Sequence, residues 1–152
     1  MKGNTMPELF SIRPAEERDL ANMQAICTEH GLGVIETIED CTVAVNDEDL
    51  TVGFIHIKTV DDESPDTNGA YVYPVAVFGE WQNHKVASTL IRHELDKAGE
   101  LKLVACKPSQ GFYPKLGFKP LAWEQIARQI SHDCTVCANY EDCGPKAFII
   151  NQ

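Results

Sequence analysis

The sequence is short of basic residues and has no long apolar run, and both shortages exclude classes of function. Its 152 residues include 13 lysines and arginines against 23 aspartates and glutamates, a formal net charge of −10 at pH 7. A field of that sign repels phosphate backbones, and no local run of Lys and Arg offsets it, so we expect no nucleic-acid binding. No stretch approaches the length of a membrane span, so we expect no membrane insertion.

The first residues lack the apolar core of a secretory signal peptide, so we expect a cytoplasmic protein. No repeat, low-complexity tract or linker interrupts the chain, and its length is usual for one domain. We therefore predict a single domain over residues 1–152, with residues 121–152 as a Cys-rich C-terminal extension. Its acidic surface favours cationic partners such as amines, although such a surface is also a common solubility device.

Hydrophobic periodicity predicts alternating strands and helices in the order β-α-helical turn-β-β-β-α-β-α-β. The run at 70–77 is almost wholly apolar or aromatic, which is typical of a strand covered on both faces. A helical turn within 32–40 is expected to wall a substrate site. Strands are predicted at 9–13, 41–45, 51–60, 70–77, 101–106 and 147–150, and helices from Glu16 to a left-handed cap at Gly31, at 83–98 and at 123–130.

Four segments together carry a resemblance. Ile12-Arg13-Pro14-Ala15 enters an acidic helix, Val75-Ala76-Val77 ends a strand, Gln82-Asn83-His84-Lys85-Val86-Ala87 opens a helix, and Phe112-Tyr113-Pro114-Lys115-Leu116-Gly117-Phe118 follows the next strand. This arrangement resembles the GCN5-related N-acetyltransferase (GNAT) family over nearly the whole chain up to about Pro120. The resemblance implies an α/β fold with a mixed, mostly antiparallel central sheet flanked by helices. It also implies transfer of an acetyl group from acetyl-CoA to a primary amine of a small molecule or protein, by direct attack in a ternary complex.

The segment Gln82–Ala87 is the expected phosphate site. A helix that directly follows a strand has unpaired N–H groups at its positive end, which suits the pyrophosphate of coenzyme A. Gln82 and Ala87 match the family pattern, but Lys85 stands at its first glycine, where its side chain can either block a phosphate or bind it as a point charge. The resemblance further implies that strands four and five splay apart and leave main-chain groups for the pantetheine arm. The expected cofactor-binding residues are Val75, Val77, Gln82, Asn83, His84, Lys85, Val86 and Ala87.

Tyr113 is the predicted catalytic residue. The resemblance implies that its hydroxyl donates a proton or a hydrogen bond to the departing thiolate, which a tyrosine with a pKa near 10 can do at neutral pH. The alternative is a core aromatic packed under Phe118. No general base is assigned. Residues in plausible regions are Glu36, Glu39, Asp40, Tyr71 and Tyr73.

A cysteine cluster near the end of the chain needs a separate explanation. Cys134 and Cys137 form a CxxC pair, and Cys143 follows six positions later. Two such thiolates can bind one ion, so the spacing predicts a structural zinc site in which His132 or Cys106 is the fourth ligand. Free or redox-active thiols and an iron–sulfur cluster remain alternatives. The isolated cysteines, Cys27 and Cys41, fit apolar positions and are predicted to be small buried hydrophobes.

Two further functions stay open. Because Lys85 replaces a glycine, the chain could be a coenzyme A-binding or partner-binding module that has lost turnover. The cysteine cluster could instead make it a metal or redox sensor on the same scaffold. The expected partners are acetyl-CoA and an amine-bearing substrate, with a homodimer as one expected assembly.

Overall fold

The computed structural model describes residues 10–33, 35–82, 85–135 and 143–152, which form seven strands and four helices. The strands are β1 (Ser11–Pro14), β2 (Cys41–Val45), β3 (Thr51–Val60), β4 (Gly69–Val77), β5 (Glu100–Ala105), β6 (Lys119–Leu121) and β7 (Lys146–Asn151). The helices are α1 (Leu20–Glu29), α2 (Val86–Ala98), α3 (Phe112–Lys115) and α4 (Arg128–Thr135), with 3-10 turns at Glu17–Asp19, Gly79–Trp81, Lys107–Ser109 and Trp123–Gln125.

The seven strands form a mixed sheet in the order β1-β2-β3-β4-β5-β7-β6. β2 is antiparallel to β1 and β3, and β7 is antiparallel to β5 and β6. β4 and β5 are parallel, with Tyr71 opposite Lys102. The predicted fold class, an α/β fold with a mostly antiparallel sheet, is confirmed. Among the described helices, none is long and apolar enough to cross a membrane.

The chain divides into two compact units, and β3 and β4 contribute residues to both. The first unit ends at Ile57 and resumes over Tyr73–His93, and the second comprises Lys58–Val72 and Glu94–Gln152. The predicted candidate for the phosphate loop therefore falls in the first unit, and the predicted catalytic tyrosine and the cysteine cluster fall in the second.

In the first unit, α1 packs its apolar face onto the strands. The face predicted from helical spacing, Met23, Ile26 and Cys27, is fully buried. It forms one cluster with side chains of β2, β3 and β4, and burying each large side chain of this kind stabilises the fold by about 1.5–3 kcal/mol. The helix is followed by Gly31 with φ +67°, which confirms the predicted left-handed cap.

A buried ion pair fixes the corner between β1 and α1. Asp19 is 3% exposed and accepts hydrogen bonds from both terminal nitrogens of Arg13, at 2.7 and 2.9 Å. Its carboxylate also accepts hydrogen bonds from Thr51 Oγ1 and from Glu16 N, each at 2.7 Å. Burial by itself would raise the pKa of Asp19, but these bonds and the charge of Arg13 lower it to about 2. The arginine of the first motif therefore has a structural role.

In the second unit, a polar network anchors the loop between β3 and β4. The buried Lys102 of β5 donates from Nζ to Asp66 O at 2.8 Å and to Asn68 O at 3.2 Å. Tyr71 donates to Thr67 O, and its hydroxyl accepts a hydrogen bond from Ala127 N at 2.9 Å. Both hydrogen-bonding directions of Tyr71 are thus used within the fold, so it is not a candidate base.

The predicted helical turn within 32–40 is wrong for the residues that the structure describes there. Residues 35–38 are not helical, and a turn is found only at Glu39 and Asp40. Ile35 and Ile38 pack against the core cluster under α1, and Asp40 has φ +58°, which a right-handed helix does not allow. This segment also holds three of the residues in plausible regions for a general base. All three are exposed: Glu36, Glu39 and Asp40.

Two other helix predictions are corrected. α2 begins at Val86 rather than at 83, because Lys85 has φ +65°. The helix expected at 123–130 is instead a 3-10 turn, and α4 then begins at Arg128. The carboxylate of Glu63 accepts hydrogen bonds from the first two main-chain amides of α4, those of Arg128 and Gln129, which explains why α4 begins there.

Candidate functional site

The end of β4 turns a row of main-chain groups away from β3. Phe78 N donates to Val52 O on β3 at 2.9 Å. Successive residues of a strand direct their N–H and C=O groups to opposite sides, so those of Val77 and Val75 point away from β3. Val77 is buried and Val75 half-buried. A ligand can bind main-chain groups of β4 only where they point away from β3, as these do.

The C-terminus of α1 holds this strand end through two side chains. His30 Nε2 lies 2.6 Å from Val77 O, and because a carbonyl can only accept, Nε2 carries the proton. The neighbouring Glu29 carboxylate accepts a hydrogen bond from Gly79 N, at 3.1 and 3.3 Å from its two oxygens. A Cβ at position 79 would lie 3.2 Å from Glu29 Oε1, so glycine permits this approach. Local patterns could not reveal the histidine contact, because 47 positions separate its partners.

A second histidine supports β4 just before Val75. The Tyr73–Pro74 peptide bond is cis, and Pro74 has no N–H to give to a neighbouring strand. At this point His56 Nδ1 donates to Tyr73 O at 2.6 Å. Tyr73, another candidate base, is therefore held through its main chain at the point where β3 and β4 meet within the first unit.

The loop after β4 keeps the backbone conformation of a glycine at Lys85. Gln82 is exposed after the 3-10 turn, and Asn83 and His84 lie outside the described residues. Lys85 has φ +65°, in the left-handed region that glycine adopts freely and other residues only at a cost. Its side chain is exposed. Lys85 thus takes a conformation that glycine adopts freely, and it places a cation at the surface.

α2 begins directly after Lys85. Lys85 O accepts hydrogen bonds from Thr89 N at 3.0 Å and from the hydroxyls of Ser88 and Thr89, at 3.1 and 2.7 Å. Val86 is 1% exposed, and a Cβ at Gly53 of β3 would lie 3.0 Å from its Cγ1. The Val86 side chain therefore belongs to the core. Val86 and the next residue, Ala87, can therefore serve the electropositive start of α2 only through their main-chain amides.

Tyr113 packs within the second unit as an aromatic side chain. Its ring meets Phe118 edge-on at 5.4 Å between centroids and lies 6.2 Å from that of Phe148 on β7. Burial raises the pKa of Tyr113 to about 12, so the hydroxyl is protonated at neutral pH. The part of the chain that the structure describes provides Tyr113 with no hydrogen-bond partner. The ring of Tyr113 thus packs against Phe118, and this contact does not involve the hydroxyl.

The structure brings Cys143 to Cys106 rather than to a metal. The two sulfurs form a disulfide with a Cα–Cα distance of 4.9 Å, and a disulfide sulfur is not the thiolate that zinc binds. His132 is exposed in α4, while Cys137 and the side chain of Cys134 lie outside the described residues. Within the described ranges, no group of three or more His, Cys, Asp or Glu residues is placed to hold a metal. The remaining cysteines, Cys27 and Cys41, are free and buried as predicted.

A cavity of about 880 Å³ also lies in the second unit, between the loop after β3 and α4. His132 is the one predicted site residue in its lining. Glu63, which also lines it, already accepts two main-chain hydrogen bonds from α4. We therefore do not place the predicted cofactor site in this cavity.

Sequence comparison places most of these elements in one family. The profile described as "Acetyltransferase (GNAT) domain" matches residues 38–120, from the segment before β2 to β6. No curated protein is similar enough in sequence to count as a relative of this chain.

Solved structures share the fold at low identity. N-acetylglutamate synthase from Neisseria gonorrhoeae, complexed with coenzyme A and N-acetyl-glutamate, is similar with a TM-score of 0.73 and 15% identity over 99% of this chain. This chain spans only 37% of that protein. Arabidopsis thaliana Naa50, in complex with the bisubstrate analogue CoA-Ac-MVNAL, is similar with a TM-score of 0.66 and 17% identity. The match covers 94% of this chain and 99% of that protein. An acetyltransferase of the GNAT family from Staphylococcus aureus Mu50 has a TM-score of 0.64 and 12% identity. The match covers 94% of this chain and 99% of that protein.

Proposed function

The chain belongs to the GNAT acetyltransferase family, since the family profile matches more than half of it, and we propose that it transfers an acetyl or other short acyl group from coenzyme A to a primary amine. The junction between β4 and α2 supports this proposal most strongly. There, the main-chain groups of Val75 and Val77 point away from β3, and Lys85 retains the conformation of a glycine directly before a helix start.

Acetyl-CoA binds along this junction in the proposed complex. The pyrophosphate sits on the amides at the start of α2, where Gln82, Val86 and Ala87 contribute, with Asn83 and His84 in the same loop. The pantetheine arm follows the main chain of Val75 and the N–H of Val77, because the Val77 carbonyl already accepts a hydrogen bond from His30. The N. gonorrhoeae synthase was solved with coenzyme A, which makes the same co-substrate a reasonable expectation here.

Lys85 assists binding in this proposal. Its exposed ammonium lies at the residue that precedes the amides of α2, so it can reach a phosphate as a point charge. It also supplies local positive charge on a chain whose formal net charge is −10. A glycine would serve the backbone equally well but would supply no charge.

Transfer proceeds by direct attack of a neutral amine on the thioester in a ternary complex, without a covalent enzyme intermediate. Tyr113 stabilises the departing thiolate. With a pKa of about 12, its hydroxyl is less acidic than an ordinary thiol, so complete proton transfer to the thiolate is unfavourable. Its contribution is therefore a hydrogen bond to the sulfur, and solvent supplies the proton.

The acceptor is proposed to be a cationic amine, which the acidic surface attracts before it loses its proton. The test is an acetyl-CoA assay over a panel of polyamines, amino acids and peptide N-termini, with thiol release and product mass as readouts. Amino acids and peptides belong in it because the similar structures hold N-acetyl-glutamate and a peptide-bearing analogue. Acetylation of at least one amine supports the proposal, whereas saturable acetyl-CoA binding with no product across the panel contradicts it.

A second candidate is a coenzyme A-binding module without turnover. Lys85 at the glycine position favours it, because a Cβ and a long side chain stand where a phosphate approaches the backbone. The same assay separates the two functions. Binding without acyl transfer, unchanged in Tyr113→Phe, is the result expected of a module.

Three further predictions belong to this proposal. We also propose a cytoplasmic location and a homodimeric assembly. We further propose a structural zinc ion on Cys134, Cys137 and His132, without Cys143, whose sulfur is in the disulfide. Such a zinc would tie the C-terminal extension to the sheet and would take no part in acyl transfer.

A further inference from the structure

We propose that Cys106 and Cys143 form a thiol-exchange site, at which low-molecular-weight thiols open and close the disulfide and so set how firmly the segment leading to Tyr113 is held. The bridge joins the end of β5 to the residue just before Gly144 and β7. It lies entirely within the second unit.

The bridge is accessible to a thiol. Cys106 is exposed and Cys143 half-buried, so a dissolved thiolate can approach the sulfur of Cys106. Exposed disulfides are the ones that commonly exchange, whereas buried ones resist reduction. Cys27 and Cys41 are 0% and 7% exposed, which makes them internal controls for cysteines that small thiols and alkylating reagents do not reach.

The bridge reinforces contacts between two neighbouring segments. Gln110 Nε2 donates to Ala105 O at 3.0 Å and to Gly144 O at 2.7 Å, and therefore spans the same two segments as the disulfide. A Cβ at position 144 would lie 2.5 Å from Lys107 Cε. Gly144, with φ +53°, therefore lets these segments pack closely.

The clamped segment continues directly into α3 and Tyr113. Cys106 precedes the 3-10 turn Lys107–Ser109, which Gln110 and Gly111 join to α3. Tyr113 in turn meets Phe148 of β7, the strand that Cys143 precedes. Opening the bridge leaves the Gln110 hydrogen bonds and the ring contacts in place, so the segment loosens but does not unfold.

The exchange is balanced with a named co-reactant. One thiolate of a small thiol such as glutathione attacks Cys106 Sγ, the Sγ–Sγ bond breaks, and Cys143 leaves as a thiolate that takes a proton. A second small thiol then displaces Cys106 from the mixed disulfide, so the protein gains two electrons and two protons while two small thiols become one disulfide. Oxidised glutathione reverses the reaction.

The exchange itself does not depend on acyl transfer, but its effect on turnover rests on the proposed role of Tyr113. The protein is equilibrated in glutathione buffers of graded ratio and quenched with an alkylating reagent, and each cysteine is then identified by peptide mapping. Hydrogen exchange of peptides from 107–118 is followed in the same samples. Cys106→Ser/Cys143→Ser provides the permanently open form, and Cys41→Ala, which leaves the bridge intact, is the matched control.

Cys106 and Cys143 should become alkylated together, with one midpoint, while Cys27 and Cys41 stay unlabelled until unfolding. Amide exchange over 107–118 should rise about tenfold on reduction, match the double variant, and stay unchanged in β2 and β3. Any one of three results overturns the proposal: both thiols already alkylated without added thiol, a metal bound by them, or exchange over 107–118 that ignores the bridge. The alkylation and exchange measurements remain valid even if no acyl transfer is found.

Discussion

Replacing Lys85 by glycine separates the two effects that this residue has. A residue with a Cβ costs about 1–2 kcal/mol in the left-handed conformation, which Lys85 occupies with φ +65°. Glycine removes that cost but loses about 0.5–1 kcal/mol through the greater freedom of the unfolded chain. Lys85→Gly should therefore stabilise the protein by about 1 kcal/mol, or raise the Tm by about 2–4 °C at this chain length.

The same substitution should weaken acetyl-CoA binding. An exposed lysine near a phosphate contributes about 1 kcal/mol, which corresponds to roughly fivefold in Kd. Lys85→Ala is the matched control, because it removes the charge but keeps the Cβ. It should lose the same fivefold in affinity and gain no stability. Thermal unfolding and calorimetric titration with acetyl-CoA, at two salt concentrations, measure both quantities.

The effects of Lys85 on stability and on binding are tested separately. If Lys85→Gly is no more stable than Lys85→Ala, the lysine does not strain the backbone. If Lys85→Gly instead binds acetyl-CoA severalfold more tightly, the side chain obstructs the phosphate and the assisting role is wrong. A loss of affinity that does not shrink at higher salt would also contradict a point-charge contact.

Three other predictions concern other parts of the chain. Tyr113→Phe keeps the ring packing but removes the hydrogen bond to the departing thiolate, so it should lower kcat about 10²-fold with little change in Tm or acetyl-CoA affinity. More than half of wild-type turnover, with chemistry rate-limiting, would assign Tyr113 to packing alone. Asp19 has a folded pKa of about 2, below its ordinary value, so its contribution of about 2 kcal/mol is complete above pH 4 and lost as the pH falls towards 2. Asp19→Asn should flatten that part of the stability curve, and an unchanged curve would refute the assignment. Metal analysis of untagged, reduced protein should find about one zinc per chain, and chelation should lower the Tm without abolishing acetyl-CoA binding; metal-free protein with titratable thiols would eliminate the zinc site.

Strands and helix faces could be predicted where local patterns decide them. Residues 41–45 and 51–60 are β-branched runs bounded by polar turns, and the structure reproduces both spans. The buried face of α1 likewise follows from helical spacing. The prediction of a helical turn at 35–38 is wrong, because Ile35 and Ile38 reach the core from an irregular segment and spacing alone does not distinguish the two.

The candidate site could be predicted only in part, because several of its contacts join distant residues. The phosphate loop and Tyr113 lie within short motifs, so a single sequence reveals them as candidates. The hydrogen bond between His30 and Val77 joins residues 47 positions apart and leaves no local trace. The spacing of Cys134, Cys137 and Cys143 suggested a local metal site, whereas Cys143 is bonded to Cys106, 37 positions earlier.

The central claim is direct acyl transfer from coenzyme A to an amine, and a labelling experiment tests it most directly. Acetyl-CoA carrying an isotopic label in the acetyl group is mixed with the protein and with the amine that the panel identifies, then quenched at intervals. We predict label on the amine nitrogen at a rate proportional to protein concentration, with none on the protein at any time. Label on the protein before the amine would contradict direct attack, and bound acetyl-CoA that never yields labelled amine would contradict the proposed activity.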